Sequence, residues 1–348
     1  MSKHAIYLCR LYSHLLNLIL DLQAKPCQTA AMKEPRDNTQ FVKIEHAAQI
    51  LRAGDVVAMP TETVYGLAGN AQSDDAVVKI FETKSRPRFN PLIVHCATRE
   101  MVEAIAEFPP LADILADKFW PGPLTMVLPK RDDAALSDLV TAGLDTVAIR
   151  MPKHEMAREL IRQAGFPVAA PSANPSGKLS PTTAQHVLDG FEGRVPVIDG
   201  GPATEGVEST IVAVHDDQLI LLRPGTISRE ALTEATGRSV LDPQDKTIKA
   251  PGMLLSHYAP NAAVRLNASD CVDGEAALNF GNSELTSAKA KLNLSAEGDL
   301  AEAARNLFSY LRKLDQAGVH TIAVAPIPEL GLGEAINDRL RRAAADRN

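Results

Sequence analysis

From Phe41 onward, short apolar runs closed by proline or glycine alternate with segments whose apolar residues recur at helical spacing, the pattern of an α/β fold. Ile44–Leu51 is periodic up to Gly54, and Val56–Met59 follows as a short strand stopped by Pro60. Ser73 is placed to cap a helix running through Lys84, and His154–Ala164 reads as another. Further strands are expected at Pro91–Cys96, Leu124–Pro129, Thr146–Ile149, Val168–Ala170, Val195–Ile198, Thr210–Val214 and Leu219–Leu222. Their irregular interleaving favours a mixed sheet over a strictly repeated βαβ series.

With 348 residues there is room for about two domains. Residues 41–237 form the larger expected unit. Arg238–Pro260 carries Pro243, Pro251 and Pro260 in polar sequence and reads as a linker. In 261–348, Ala276–Phe280 is a short β-run, Leu300–Leu314 a strongly periodic helix and Thr321–Ala325 a strand, so a small α/β unit is expected there. Residues 1–40 differ: their first acidic residue is Asp21, and Leu11–Leu22 is rich in leucine and isoleucine. Either a transit peptide or a start placed too early, with Met32 as the true beginning, accounts for them, and they stand outside the core.

Charge and cysteine usage narrow the function. Lys plus Arg number 36 against 43 Asp plus Glu, a net charge of −7, which argues against a surface that tracks a nucleic-acid backbone. Any phosphate site is therefore local. The four cysteines form neither a CxxC pair nor a zinc spacing, and they fit a reducing cytoplasm. No apolar run reaches the roughly 18 residues of a membrane span, because Arg10, His14 and Asp21 interrupt the one candidate.

The usual phosphate loop, dinucleotide fingerprint, HExxH and GxSxG signatures are all missing. The densest polar information lies in PTETVYGLAGNA from Pro60 and KSRPRFNPLIVH from Lys84. Residues 83–99 hold Lys84, Arg86, Arg88, His95 and Arg99 with no acid, on a loop stiffened by Pro87 and Pro91. Such a loop suits a polyphosphate, although a solvated basic loop has the same composition. Thr61 and Thr63 can bond a small polar ligand or their own turn, and Glu62 alone makes a weak acid/base candidate. His95 ends a strand, where ligands gather in open α/β sheets. Ser172, Asn174, Ser176, Lys178 and Ser180 cluster in PSANPSGKLSPTTAQ. Ser180, before Pro181, has the position of a helix N-cap. Arg150 and Arg223 each close a strand, and no neighbouring acid in sequence pairs with Arg150.

At these residues the chain closely resembles the threonylcarbamoyl-AMP synthase family, the YrdC-like proteins. The motifs are PTETVYGL, KSRPRFNPLIVH, FWPGPLT at 119–125, SANPSG at 172–177 and GVEST at 206–210, in order. PGMLLSHYAP at 251–260, before a small α/β unit, resembles the linker of the family's long, two-domain form. The resemblance implies a YrdC-like twisted mixed sheet with flanking helices, joined by a linker at 238–260 crossing the active site to a smaller Rossmann-like α/β domain.

The implied activity is that of a nucleotidyltransferase making threonylcarbamoyl-adenylate and pyrophosphate from L-threonine, bicarbonate or CO2, and ATP. A separate transferase complex would then use the product on the adenosine beside the anticodon of certain tRNAs, with at most a weak tRNA contact here. By motif position, Lys84, Arg86, Asn90, Thr146, Ser172, Asn174, Ser180, Arg223 and Tyr258 would bind ATP, with Lys84 and Arg86 catalytic. Thr63, His95, Arg150 and Ser209 would receive threonine. Mg2+ would ride on the phosphates, held by no protein side chain. The family commonly has threonine where this chain has Pro171, which removes a side-chain contact ahead of Ser172.

Two other readings stay open at this point. An RNA-binding module would show salt-sensitive affinity without consuming ATP. A carbamoyl-transfer role in metalloenzyme maturation usually brings acylphosphatase and zinc-finger segments, and neither is present.

Overall fold

The computed structural model describes residues 40–87, 90–215, 217–244, 258–285 and 289–345. The strands are β1 (Val57–Met59), β2 (Gly66–Asn70), β3 (Ile93–His95), β4 (Leu124–Pro129), β5 (Thr146–Arg150), β6 (Val168–Ala169), β7 (Thr210–His215), β8 (Gln218–Arg223), β9 (Val240–Leu241), β10 (Ala263–Arg265), β11 (Ala276–Asn279), β12 (Ala290–Asn293) and β13 (Thr321–Val324). The helices are α1 (Ile44–Arg52), α2 (Asp74–Lys84), α3 (Arg99–Glu103), α4 (Pro110–Phe119), α5 (Asp138–Thr141), α6 (Glu155–Ala164), α7 (Ala184–Gly190), α8 (Arg229–Thr236), α9 (Leu300–Gln316) and α10 (Leu332–Ala344).

Nine strands form one mixed sheet in the order β1-β2-β6-β3-β5-β4-β7-β8-β9. The remaining four form a second, all-parallel sheet, β10-β13-β11-β12. Helices α1 and α6 bury Ala47, Ala48, Leu51, Ala157, Leu160 and Ile161 against the β1 side of the large sheet. The second sheet packs under α9, whose Ala303, Ala304, Leu307, Phe308, Leu311 and Leu314 recur at helical spacing on the buried face. That core also takes in Val64, Leu179, Val207 and Tyr258, residues outside the strands, so loops that border the large sheet pack into the second core.

Three local outcomes differ from the sequence reading. Val195–Ile198 forms only bridges, Val197 pairing with Phe41 and Ala58. The segment read as a linker begins with an edge strand, because β9 pairs in parallel with β8. Its residues 245–257, like residues 1–39, lie outside the described residues. Ser180 is not an N-cap: α7 starts at Ala184, and Thr183 accepts from the His186 amide at 3.2 Å. The Pro181 carbonyl accepts the Tyr65 amide at 2.9 Å, tying the Ser180–Pro181 segment to the sheet rather than to a helical turn.

Candidate functional site

Register places the polar side chains in a row across the large sheet. His95 is the partner of Arg150, Arg150 of Thr125, Thr125 of Ile211, and Ile211 of Arg223. Strict alternation would send Arg223 to the face opposite Ile220 and Leu222. A bulge prevents this: Ile211 and Val212 are consecutive, yet they face Arg223 and Leu221, so β8 carries an extra residue. Arg223 thereby lines the same cavity as Thr61, Thr63, Arg86, His95, Arg150, Ser172, Ser209 and Tyr258. About 50 Å³ of it is free, with the buried Tyr258 side chain at its wall.

At one end Arg150 is fixed from three sides. Its Nη2 lies 2.6 Å from Glu62 Oε1, its Nη1 donates to the Thr63 hydroxyl at 2.8 Å, and its Nε donates to the Gly122 carbonyl at 3.2 Å. Glu62 and Arg150 are each only 4% exposed in their side chains. Burial tends to raise the Glu62 pKa, but the Arg150 charge and hydrogen bond outweigh it and hold the carboxyl below its ordinary value. The partner missing from the local sequence is thus a residue 88 positions away. Gly122 serves by its lack of a side chain, since a Cβ there would lie 2.2 Å from the Phe119 carbonyl oxygen. Beside Arg150, burial first and its charge second push His95 down to about 3, so the imidazole is neutral. Three of the five N–H donors of Arg150 are used, leaving two for a ligand carboxylate.

At the other end Arg86 lines the cavity, while Lys84 and Asn90 stand behind its wall rather than among its lining residues. Lys84 is buried at the end of α2 and donates to the carbonyls of Ser172 and Asn174, each at 2.5 Å. Burial first and the Arg86 charge second hold its pKa well below the ordinary lysine value. Arg86 donates to the Pro91 carbonyl at 3.3 Å, while its Nε is buried with no hydrogen-bond partner. Burial pushes Arg86 down to about 10; the nearby Tyr258 opposes the shift and Arg223 adds to it. Asn90 is buried with neither side-chain polar atom partnered. Each such atom costs about 1–3 kcal/mol, and three of them lie on this loop. Arg223 donates to the carbonyl and the hydroxyl of Ser209, the latter at 3.0 Å, and Ser209 also meets Thr125 at 2.7 Å.

Some expected residues stand apart from this cavity. Thr146 begins β5, about 13 Å along the strand from Arg150. It lines a neighbouring cleft of about 490 Å³ with Val127, Ala213, Ile220 and Leu222, on the apolar row beside the polar one. Asn174 spends its amide on the carbonyls of Pro175 and Lys178, both at 2.9 Å, and its Oδ1 is buried without a partner. The Ser180 hydroxyl bonds Glu208. Arg99 turns outward to Glu103 and Asp113, so the basic run divides, and Arg88 lies outside the described residues. Pro171 lines the cavity, with its carbonyl accepting the Leu67 amide at 2.7 Å. Thr125 and Glu208 escaped the sequence reading; only their places inside FWPGPLT and GVEST marked them.

The fold and cavity define an α/β protein with a polar cavity in which Arg150 is paired with Glu62 and Arg86 donates only to a main-chain carbonyl. Residues 49–225 match a family model described as "Telomere recombination", and residues 227–345 match "Threonylcarbamoyl-AMP synthase, C-terminal domain". The threonylcarbamoyl-AMP synthase of Pyrococcus abyssi is 43% identical over 90% of this chain and 97% of its own. That of Bacillus subtilis is 42% identical over 89% and 95%. The crystal structure of P. abyssi Sua5 complexed with L-threonine superposes with a TM-score of 0.79 at 41% identity, covering 86% of this chain and 94% of the other. The chain belongs to the threonylcarbamoyl-AMP synthase family, in its long two-domain form.

Proposed function

We propose that the polar cavity is where threonine and the ATP phosphates meet, with the adenine on the neighbouring apolar cleft. The chain catalyses formation of threonylcarbamoyl-AMP from ATP, L-threonine and bicarbonate, a nucleotidyl transfer that serves tRNA modification. One observation carries the site assignment: Lys84 and Arg86 are buried together without a carboxylate partner, beside the unpartnered amide of Asn90. A polyphosphate supplies what all three lack.

On this reading the threonine carboxylate takes the two spare donors of Arg150, and Thr63, neutral His95 and Ser209 surround its side chain and amine. An oxygen of the N-carboxylated amine attacks the α-phosphorus. The P–O bond to the β-phosphate breaks, and pyrophosphate leaves with the electron pair. Both reactants are anionic, so alignment and charge cancellation by Lys84, Arg86 and Arg223 supply the catalysis without a covalent nucleophile. Mg2+ enters on ATP as part of the substrate, riding on the phosphates. Ser172 lines the phosphate path with Asn90 and Asn174 behind it, Ser180 acts through Glu208, and Thr146 lies on the adenine side. The free space beside Tyr258 is far below the ~300 Å³ of an ordinary ligand site, so Tyr258 withdraws to admit substrate and returns over the adenylate.

The division into 41–237, a linker at 238–260 crossing the site, and 261–348 belongs to the same reading. The labile product passes to a separate transferase acting beside the tRNA anticodon, and a net charge of −7 keeps any direct tRNA contact weak. Among the described residues no helix is long and apolar enough to cross a membrane, and we place the reaction in the cytoplasm. Pyrophosphate release with threonine or bicarbonate withheld tests the assignment. Release is expected only with both present; release independent of threonine contradicts it.

A further inference from the structure

The loop that carries Ser209 into the cavity is held from behind by the C-terminal unit. Val207 is fully buried in the core built around α9, and a Cβ on Gly206 would lie 2.4 Å from the Arg305 Cα. Glu208 follows, accepting from Arg339 Nε at 2.8 Å and from the Ser180 hydroxyl. Next comes Ser209, whose hydroxyl meets Thr125 and accepts from Arg223. Four successive residues thus run from the second core to the cavity wall.

Arg339 is the hub of this contact. It projects from α10 and is completely buried. Besides Glu208 it donates through Nη1 to the Pro224 carbonyl and to Asp338, each at 2.8 Å, and its guanidinium lies 5.4 Å from the centre of the Tyr258 ring. Pro224 immediately follows Arg223. One side chain therefore touches the residue before Ser209, the residue after Arg223, and Tyr258 itself. A buried guanidinium needs an acceptor for each donor, and here one of those acceptors is the carbonyl of the residue after Arg223, so satisfying Arg339 also fixes that turn.

We propose that Arg339 is a positioning residue for the nucleotide half of the site, by which the C-terminal unit fixes the directions of Arg223 and Tyr258, while Ser209, on the threonine side, keeps its Thr125 partner at 2.7 Å. The proposal rests on the function argued above only for the identity of the nucleotide. Binding of Mg2+-ATP by calorimetry, and kcat and KM for ATP and threonine by pyrophosphate release, test it in the full chain with Arg339→Met, Glu208→Gln and the double variant. Thermal melting is followed in each. We expect Arg339→Met to weaken ATP binding by at least fivefold while the threonine KM moves less than threefold. The double variant, freed of an unpaired buried carboxylate, regains melting temperature but not ATP affinity. Arg339→Lys, which keeps the charge without the fork, falls between. ATP binding changed less than fivefold, equal loss for both substrates, or affinity returning with stability in the double variant overturns the proposal. Should the parent chain bind ATP yet make no threonine-dependent pyrophosphate, the function fails separately and the binding arm still decides the role of Arg339.

Discussion

Arg150 and the Lys84–Arg86 pair use buried charge in opposite ways. Arg150 sits with Glu62 at 2.6 Å and spends three donors inside the protein, so its charge is neutralised before any ligand arrives. Lys84 and Arg86 donate only to main-chain carbonyls; after burial, the Arg86 charge lowers the Lys84 pKa, and the Arg223 charge adds to the lowering of Arg86. The first arrangement fixes geometry for a small ligand and costs little when empty. The second is the half to which the proposed function assigns the polyphosphate, whose charge supplies the counterpart that Lys84 and Arg86 lack within the protein.

Opposed responses to mutation follow, and the largest concerns a charge deleted at each end. Arg86→Met is expected to lower kcat/KM by about 10²–10³ while leaving unfolding stability unchanged or raised. Arg150→Met strands a buried carboxylate and is expected to cost about 3–5 kcal/mol of stability as well as activity. Urea melts of the two variants check this, and equal destabilisation breaks the comparison. A smaller effect sharpens it: Glu62→Gln weakens only the neutralised end, so the threonine KM is expected to rise about tenfold, with the ATP KM nearly unchanged. Steady-state kinetics with each substrate varied separate the two.

The smallest effect is on acid stability. His95 is held at about 3 and His186 at about 4, both below the ordinary value near 6.5, so the unfolded chain binds more protons than the folded one between these values. Stability is therefore present above about pH 6.5 and is lost as the pH falls through that window. Melting temperatures across it are expected to fall less steeply in His95→Gln, with His186 carrying the remainder; an unchanged slope contradicts the burial argument.

The contrast also explains what could be read from the sequence. Strands β4, β5, β7 and β8 announce themselves through apolar and β-branched runs, whereas β2 is Gly-Leu-Ala-Gly-Asn, strand only because β1 and β6 pair with it. Strand β9, the edge strand β10 and the edge strand β12 are too short or too polar to signal themselves, and α10 went unread although Leu332–Ala344 is one of the longer helices. The site motifs were legible because their residues cluster locally. The Glu62 partner of Arg150, the Arg339 contact to Glu208 and the bulge that turns Arg223 inward depend on chain segments up to 131 residues apart, and no local pattern encodes them. Ser180 looked like a cap for the same reason: its competitor for that role, Thr183, and its true partner, Glu208, could not be ranked from the string alone.

Central to the whole account is that Lys84 and Arg86 are buried without a carboxylate partner and meet their counter-charge in a phosphate. Calorimetry of Mg2+-ATP and of L-threonine binding to the full chain and to Lys84→Met measures this directly. The account predicts that the substitution weakens ATP binding by about tenfold or more and leaves threonine binding nearly unchanged. Unchanged ATP affinity, or equal loss for both ligands, would contradict it.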